Sequence, residues 1–175
     1  MSLKTFKPYT KSTRTTILVD RKNIWKGSPV KSLTRGKHSS GGRNNLGRIT
    51  SRAKGAGHKK RYRIIDFYRN KVDVIGNVVR IEYDPNRTSY IALIKYEDKS
   101  QNYIICPEGM KAGDKIVSGN SKEIKYGNCM PLKDIPPGTL VHNVELEEGN
   151  GGKLARSAGS SVTLSGFDDE HAIIK

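Results

Sequence analysis

The sequence has no long hydrophobic run and very few cysteines. No apolar stretch approaches the roughly 18 residues that a membrane-spanning helix requires, so we expect no membrane partner. Cys106 and Cys129 are 23 residues apart and lack CxxC or histidine partner spacing, which argues against a disulfide framework and the standard zinc motifs. Two unpaired thiols are the prediction. The first residues also lack the apolar core of a secretory signal.

Acidic residues are nearly missing from the front of the chain. The 175 residues include 32 Lys+Arg and 17 Asp+Glu, for a formal net charge of +15. Residues 1–63 hold 18 of the basic side chains and a single acid, Asp20, whereas residues 64–175 hold 14 basic and 16 acidic side chains. A polycation attached to a nearly neutral body indicates a partner with dense negative charge.

Apolar side chains are also scarce in residues 1–60, where 15 of them follow no helical or strand period. They cannot offset the conformational entropy of ordering 60 residues, so we predict a segment that is disordered or ordered by what it binds. Six glycines alternate with single basic residues between 36 and 57, a pattern that suits close approach to a folded, phosphate-lined polynucleotide. A flexible linker would not need an arginine every four or five residues.

The motifs of phosphate loops and active sites are incomplete. Residues 55–60 begin like a dinucleotide fingerprint, but Lys60 stands where the third glycine belongs. Residues 149–153 resemble a nucleotide loop, but Leu154 replaces the required Ser or Thr. There are four histidines, His38, His58, His142 and His171. They have no metal-ligand spacing, and no Ser or Cys lies in a nucleophile motif, so we predict no enzyme, cofactor, metal or small-molecule substrate.

Short strand patterns separated by turn signals follow from residue 61 onward. The candidate strands are residues 62–67, 72–83, 89–96, 101–106 and 115–118. Gly76 interrupts the second strand and predicts a bulge or bend, and residues 109–113 could hold one helical turn. About five short strands without a long helix predict an all-β protein with an OB-type barrel.

A second unit is predicted from residue 126 onward. After a proline-rich break at 134–139, residues 140–147 alternate between apolar and polar and place His142 on the apolar face, as a core or half-buried histidine. Residues 148–153 form a Gly-rich loop, and residues 161–165 with 171–175 predict a hairpin. Because a two-stranded hairpin alone is marginally stable, we expect another polypeptide or surface to complete this sheet.

Residues 40–50, 55–67, 82–96 and 135–159 resemble ribosomal protein two of the large subunit, of the bacterial type. The resemblance runs almost without gaps to about residue 165. It implies a basic Gly-rich RNA-binding extension over 1–60, an OB-type barrel over 61–125 and the first part of an SH3-like barrel over 126–175. It also implies a non-catalytic role in translation, in which the protein binds large-subunit ribosomal RNA beside neighbouring ribosomal proteins.

Matching positions imply RNA contacts from three regions of the chain. In the extension these are Arg43, Asn44, Asn45, Arg48, Thr50, Arg52, Lys54, His58, Lys59, Arg61 and Arg63. On the first barrel they are Arg69 and Arg87, and in the Gly-rich loop of the second unit they are Lys153 and Arg156.

The resemblance departs from the family at the C-terminal side. Family members run further, complete the second barrel and add a basic tail near the peptidyl transferase centre, so no role at that centre is assigned to this chain. We expect the front half of a split protein, with a separate polypeptide carrying the C-terminal half. A split product and a bias to Lys, Ile and Asn favour ribosomes of the mitochondrial matrix, with the bacterial cytoplasm as the alternative.

Two other functions stay open on the residues alone. A free-standing single-strand-binding OB module would stack bases on aromatic faces. Its candidate faces are Tyr83, Tyr90, Tyr96 and Tyr103, which are otherwise core residues. A polynucleotide-processing enzyme would instead use His58 with a nearby acid such as Asp66.

Overall fold

The computed structural model describes residues 3–22, 24–169 and 171–175. Within these ranges the chain is nearly all β, which confirms the predicted fold class. Its helical parts there are α1 (Lys11–Thr15) and two 3-10 turns, Lys31–Leu33 and Leu132–Asp134, and none of them has the length or apolar character to cross a membrane. The strands are β1 (Leu3–Thr5), β2 (Ile17–Val19), β3 (Thr34–Gly36), β4 (Arg61–Arg63), β5 (Gly76–Glu82), β6 (Ile91–Tyr96), β7 (Gln101–Ile105), β8 (Lys115–Ile116), β9 (Leu140–Val141), β10 (Val162–Asp168) and β11 (His171–Ile174).

The main core is built on a four-stranded antiparallel sheet in the order β7-β6-β5-β8. Every residue of β6 except Lys95 is buried, because side chains pack against both faces of this sheet. One face contributes a cluster around Val78, Ile94 and Ile116, and the other a cluster around Leu93 and Tyr103. Side chains that alternate along the strands thus pack into two separate cores, one on each face of the sheet. This is expected of the curved sheet of an OB-type barrel.

The predicted strands 89–96 and 101–106 are confirmed as β6 and β7, but the bulge lies elsewhere than predicted. β5 begins at Gly76, and its register shifts between Val78 and Arg80. Gly76 serves close packing instead, since a Cβ there would lie 2.6 Å from Cγ2 of Ile94. The predicted helical turn at residues 109–113 is likewise wrong, because these residues form non-helical turns.

The front segment has short elements but no core of its own. β1 pairs with β2 and β3 pairs with β4, all antiparallel. Gly41 is the only buried residue among the described residues of 3–60, which agrees with the scarcity of apolar side chains. The segment is therefore structured by local turns and by attachment to the barrel.

Residues 24–36 are the part of this segment that attaches to the barrel. The Trp25 amide donates to the Ile81 carbonyl oxygen at 3.0 Å. Val30 and Leu33 pack against the core cluster of Tyr103, and the Tyr103 hydroxyl accepts the Val30 amide at 3.0 Å. This stretch therefore closes one side of the barrel that the later strands build.

The second unit contains a three-stranded antiparallel sheet in the order β11-β10-β9. The predicted hairpin is confirmed as β10 and β11, and β9 adds a third strand. The predicted alternation over residues 140–147 gives a strand only at Leu140–Val141, since Asn143 takes a positive φ of 53° that a continuing strand does not allow. His142 is half-buried beside it.

Candidate nucleic-acid interface

The predicted contact residues of the extension lie on a basic, exposed surface. No acidic residue occurs between Asp20 and Asp66. Twelve of the fifteen predicted residues are exposed, namely Arg43, Asn44, Asn45, Arg48, Thr50, Arg52, Lys54, His58, Lys59, Arg61, Lys153 and Arg156. The other three, Arg63, Arg69 and Arg87, are half-buried.

A compact loop over residues 42–51 presents five of these residues. The Gly42 carbonyl oxygen accepts the amides of Thr50 at 2.9 Å and Ser51 at 3.1 Å, which closes the loop. Gly42 has a φ of +77°, and a Cβ there would overlap the Ser51 carbonyl oxygen, so only glycine fits. The loop is therefore shaped by its own hydrogen bonds, without a core.

The β3–β4 ladder presents a second set of basic side chains. Arg35 lies directly opposite Tyr62, and Gly36 opposite Arg61. Arg35 and Arg61 are both exposed. Arg35 was absent from the predicted contact residues, because nothing in its local sequence indicates that it pairs with a strand 26 residues further along the chain.

Asp84 lies in the connection between β5 and β6 and pairs with two half-buried arginines. Its carboxylate is fully buried and accepts Arg87 Nε at 2.7 Å, while Arg63 Nη1 lies 3.9 Å away. Asp84 Oδ1 also accepts the Asn86 amide at 2.9 Å. Burying a carboxylate is costly unless it is paired and hydrogen-bonded, and these partners meet that requirement. The turn at residues 84–87 therefore fixes the direction in which the Arg87 side chain leaves the backbone.

Phe67 brings together predicted contact residues from both barrels. The guanidinium carbon of Arg156 lies 4.3 Å from the centroid of the Phe67 ring, and that of Arg87 lies 5.9 Å from it. The loop that carries Arg156 is held there, because the Gly152 amide donates to the Phe67 carbonyl oxygen at 3.2 Å and the Ala158 amide to Thr88 Oγ1 at 3.1 Å. Sequence reasoning did not single out Phe67.

Arg69 lies between the two units, and its guanidinium group forms hydrogen bonds within the protein. Its Nε donates to Ser118 Oγ at 3.2 Å and its Nη2 to the Gly127 carbonyl oxygen at 3.0 Å. Burial, with a smaller contribution from the Arg69 charge, lowers the pKa of His142 below its usual value. His142 is therefore a neutral, half-buried side chain at neutral pH, in line with the structural role predicted for it.

The thiols and acids of this region do not form a reactive centre within the described part of the chain. Cys106 and Cys129 are both free, which confirms the predicted unpaired thiols. Burial raises the pKa of Cys106 to about 11, so its thiolate is rare at neutral pH. Among the described residues, no three His, Cys, Asp or Glu side chains are placed to hold a metal ion.

The architecture and the basic surface together define a class, that of β-barrel proteins with a polybasic, glycine-rich extension. Comparison with known families makes this specific. Residues 30–118 match the family model described as "Ribosomal Proteins L2, RNA binding N-terminal domain", and residues 125–175 match "Ribosomal Proteins L2, C-terminal domain". The chain belongs to the L2 family of ribosomal proteins, which confirms the resemblance found in the sequence.

Individual relatives support the same assignment. The chain is 61% identical to "Large ribosomal subunit protein uL2" of Pelagibacter ubique over 176 residues, which cover all of this chain and 63% of the relative. It is 59% identical to the protein of that name from Gluconacetobacter diazotrophicus and 58% identical to the one from Rickettsia canadensis, covering 63% and 64% of them. The chain thus spans just under two thirds of the length of these curated relatives.

Proposed function

We propose that this protein is a non-catalytic, structural constituent of the large ribosomal subunit that binds large-subunit ribosomal RNA and supports assembly and translation. The family assignment and the names of the relatives support this role. Neighbouring ribosomal proteins are the other proposed partners.

The observation that carries the proposal is an uncompensated positive surface. Within the described residues between 24 and 62, no basic side chain forms a salt bridge, and the sequence there offers no acid. So many like charges on one segment repel one another unless an external anion neutralises them. A folded RNA carries closely spaced phosphates along a continuous surface. Such a surface can neutralise basic side chains that are spread along the whole of residues 24–62.

The fifteen predicted contact residues are retained in three groups. The exposed side chains of residues 43–61, with Lys153, are proposed to contact phosphates and sugars. Arg87 and Arg156 are proposed to act together, because Phe67 places both guanidinium groups within 6 Å of one ring centroid. Arg63 and Arg69 have intramolecular partners, so we propose that they contribute through the remaining N–H groups of their guanidinium groups.

The two alternative functions receive less support. Tyr96 and Tyr103 are buried in the core and offer no free stacking face, and Arg21 lies 3.8 Å from the centroid of the Tyr83 ring and occupies one of its faces. Asp66 accepts hydrogen bonds from the Arg69 amide and from Asn102 Nδ2, which occupies both its carboxylate oxygens. It is poorly placed to act as a general base with His58.

The domain division and the localisation are also proposals. We propose an extension over 1–60, a first barrel over 61–125 and a second unit over 126–175; the gap between the two family matches, 118 to 125, supports the second boundary. The ribosome is the proposed location. The relatives named above are bacterial, so the comparisons lend no support to the mitochondrial matrix. They lend none to a separate polypeptide for the C-terminal half either, since the C-terminal family model matches this chain.

Binding of in vitro transcribed bacterial large-subunit rRNA over a series of salt concentrations tests the function. The logarithm of the binding constant should fall with the logarithm of salt concentration with a slope of about −4 or steeper, because each neutralised phosphate contributes about −0.7 to −0.9. Co-sedimentation of the protein with large subunits should accompany this slope.

A slope near zero, or a protein that stays at the top of the gradient, would contradict the proposal. Arg156→Gln should weaken binding and make the salt slope shallower by the contribution of one phosphate contact, about 0.7 to 0.9. Lys99→Gln, which alters an exposed lysine in the β6–β7 turn, is the matched control and should change neither quantity.

A further inference from the structure

The tip of the 42–51 loop is a two-residue turn whose backbone is held by hydrogen bonds to the Asn44 side chain. The Gly47 amide donates to the Asn44 carbonyl oxygen at 3.1 Å, so Asn45 and Leu46 are the central residues of the turn. Asn44 Oδ1 accepts the amides of both Leu46 and Arg48 at 3.0 Å. The backbone of the tip therefore depends directly on the Asn44 side chain.

Asn44 is one of the predicted RNA-contacting residues, but the loop itself uses the acceptor oxygen of its side chain. Two backbone amides already occupy Oδ1, and the Asn44 amide donates to the Arg48 carbonyl oxygen at 3.0 Å. An asparagine that bonds its own backbone two and four residues on is a turn-forming residue. Its main contribution is the shape of the loop.

Leu46 is the residue that this shape exposes. Its exposed fraction is 73%, the highest of any large apolar side chain of the described residues except Tyr9. Arg43 and Arg48 flank the turn, and both are exposed. A preformed turn thus holds an aliphatic side chain out into solvent between two arginines.

We propose that Leu46 is an apolar contact to the bound ribosomal RNA, packing against the face of an unstacked base, and that Asn44 is the positioning residue that holds it there. The inference rests on the proposed function and adds a contact that is not electrostatic. Unstacked bases in loops and bulges are the parts of a folded RNA that offer accessible apolar faces. Because the loop is preformed, little conformational entropy is lost when Leu46 is buried.

The surrounding charge favours RNA over a protein as the occupant. The nearest acids in the sequence, Asp20 and Asp66, are each about 20 or more residues from Leu46. A protein surface that buried Leu46 would have to compensate Arg43, Arg48, Arg52 and Lys54 with as many acids. The phosphates that flank any unstacked base supply this compensation at once.

The test compares Leu46→Ala with wild type, using the full chain and in vitro transcribed bacterial large-subunit rRNA over a salt series. Loss of the buried side chain should weaken binding about five- to twentyfold at every salt concentration, with the salt slope unchanged. Leu46→Met should bind as the wild type does, because it restores the apolar surface. Arg48→Ala is the contrast, since it should make the slope shallower by about 0.7 to 0.9.

Leu146→Ala is the matched control, because Leu146 is also an exposed leucine but lies between Glu145 and Glu147. Its affinity should equal that of the wild type. A wild-type affinity for Leu46→Ala, or a slope as shallow as that of Arg48→Ala, would overturn the contact while leaving the proposed function intact. A flat wild-type slope would instead refute the proposed function.

The positioning role of Asn44 has a separate readout in the free protein. Asn44→Ala should expose the Leu46 and Arg48 amides to hydrogen exchange and weaken RNA binding at least as much as Leu46→Ala. Asn44→Asp keeps an acceptor oxygen and should restore the protection of both amides. Unchanged protection in Asn44→Ala would overturn this role.

Discussion

At the scale of the residue, polar side chains of this protein act mainly by holding the backbone or one another. Asp84 is fully buried and orients Arg87, Asn44 shapes the tip of the 42–51 loop, and Asp66 accepts three hydrogen bonds from Tyr68, Arg69 and Asn102. Acids are rare on the basic face, and those nearest to it are engaged in such contacts. The Arg87 side chain beside Asp84 is thereby fixed in direction within the folded chain.

A residue-scale prediction concerns Asp98, which pairs with Lys71 beside the β6–β7 turn. The Lys71 side chain, with Ser100, lowers the pKa of Asp98 from 3.8 to about 2. Because the folded-state pKa is depressed, the stabilisation is present above pH 3.8 and is lost as pH falls through about 2. Wild type should resist urea better than Asp98→Asn at pH 6, and the difference in midpoint should disappear near pH 2.

Glu97→Gln is the control for this experiment, because Glu97 forms no ion pair within the described part of the chain. Any difference in urea midpoint between wild type and Glu97→Gln should not disappear as the pH is lowered from 6 to 2. If the urea midpoints of wild type and Asp98→Asn still differed at pH 2, the stabilisation would not come from the ionised Asp98 carboxylate.

At the scale of the element, the turns and strand ends of the front segment matter more than its helix. α1 is capped by Thr10 but buries no residue, whereas residues 24–36 reach the barrel through Trp25, Val30 and β3. Their attachment centres on Tyr103, whose hydroxyl donates to Glu82 at 3.0 Å and accepts the Val30 amide at 3.0 Å. One buried hydroxyl thus links three parts of the chain that are distant in sequence.

An element-scale prediction follows for Tyr103→Phe. The variant keeps the ring but leaves the nearly buried Glu82 carboxylate and the Val30 amide short of a partner, which should cost about 1–3 kcal/mol of unfolding free energy. The Val30 amide should also exchange faster. Tyr90→Phe is the matched control, since the Tyr90 hydroxyl forms no hydrogen bond in the described structure, and it should be nearly neutral. Equal stabilities of the two variants would contradict the linking role.

At the scale of the whole molecule, two tasks, folding around a core and the proposed binding of RNA, fall to different parts of the chain. The buried side chains are concentrated in the sheet of β5 to β8, while the basic residues lie mostly outside it. The proposed boundary at residue 60 separates these tasks by composition. The contacts of residues 24–36 indicate that this portion of the extension also supports the fold.

A deletion series tests this division at the scale of the molecule. Removing residues 1–22 should leave the unfolding free energy nearly unchanged, because none of the described side chains there is buried and Arg21, which stacks on Tyr83 of the barrel, is exposed. Removing residues 1–36 should lower it by about 2–4 kcal/mol, since Val30, Leu33 and the β3–β4 pairing are lost. Urea unfolding followed by circular dichroism measures both. Equal stability of the two deletions would place the whole extension outside the fold.

Much of the fold was predictable because its signals are local. The strands β6 and β7, the hairpin of β10 and β11 and the unpaired thiols follow from apolar runs, turn residues and cysteine spacing in their own neighbourhoods. The bulge in β5 was misplaced for the opposite reason: Gly76 is required by Ile94 on the adjacent strand, which no pattern within β5 reveals.

The sequence by itself determined that this protein is all β, that its front third is basic and poor in apolar residues, and that it resembles the L2 family. Charge, hydropathy and motif are properties of neighbouring residues, so they are readable without coordinates. Only the tertiary structure decided that Arg87 and Arg156 meet at Phe67, that Tyr103 holds Val30, and that Arg69 is engaged between the two units. These contacts join residues far apart in the chain, and packing and burial fix them only once the barrels have formed.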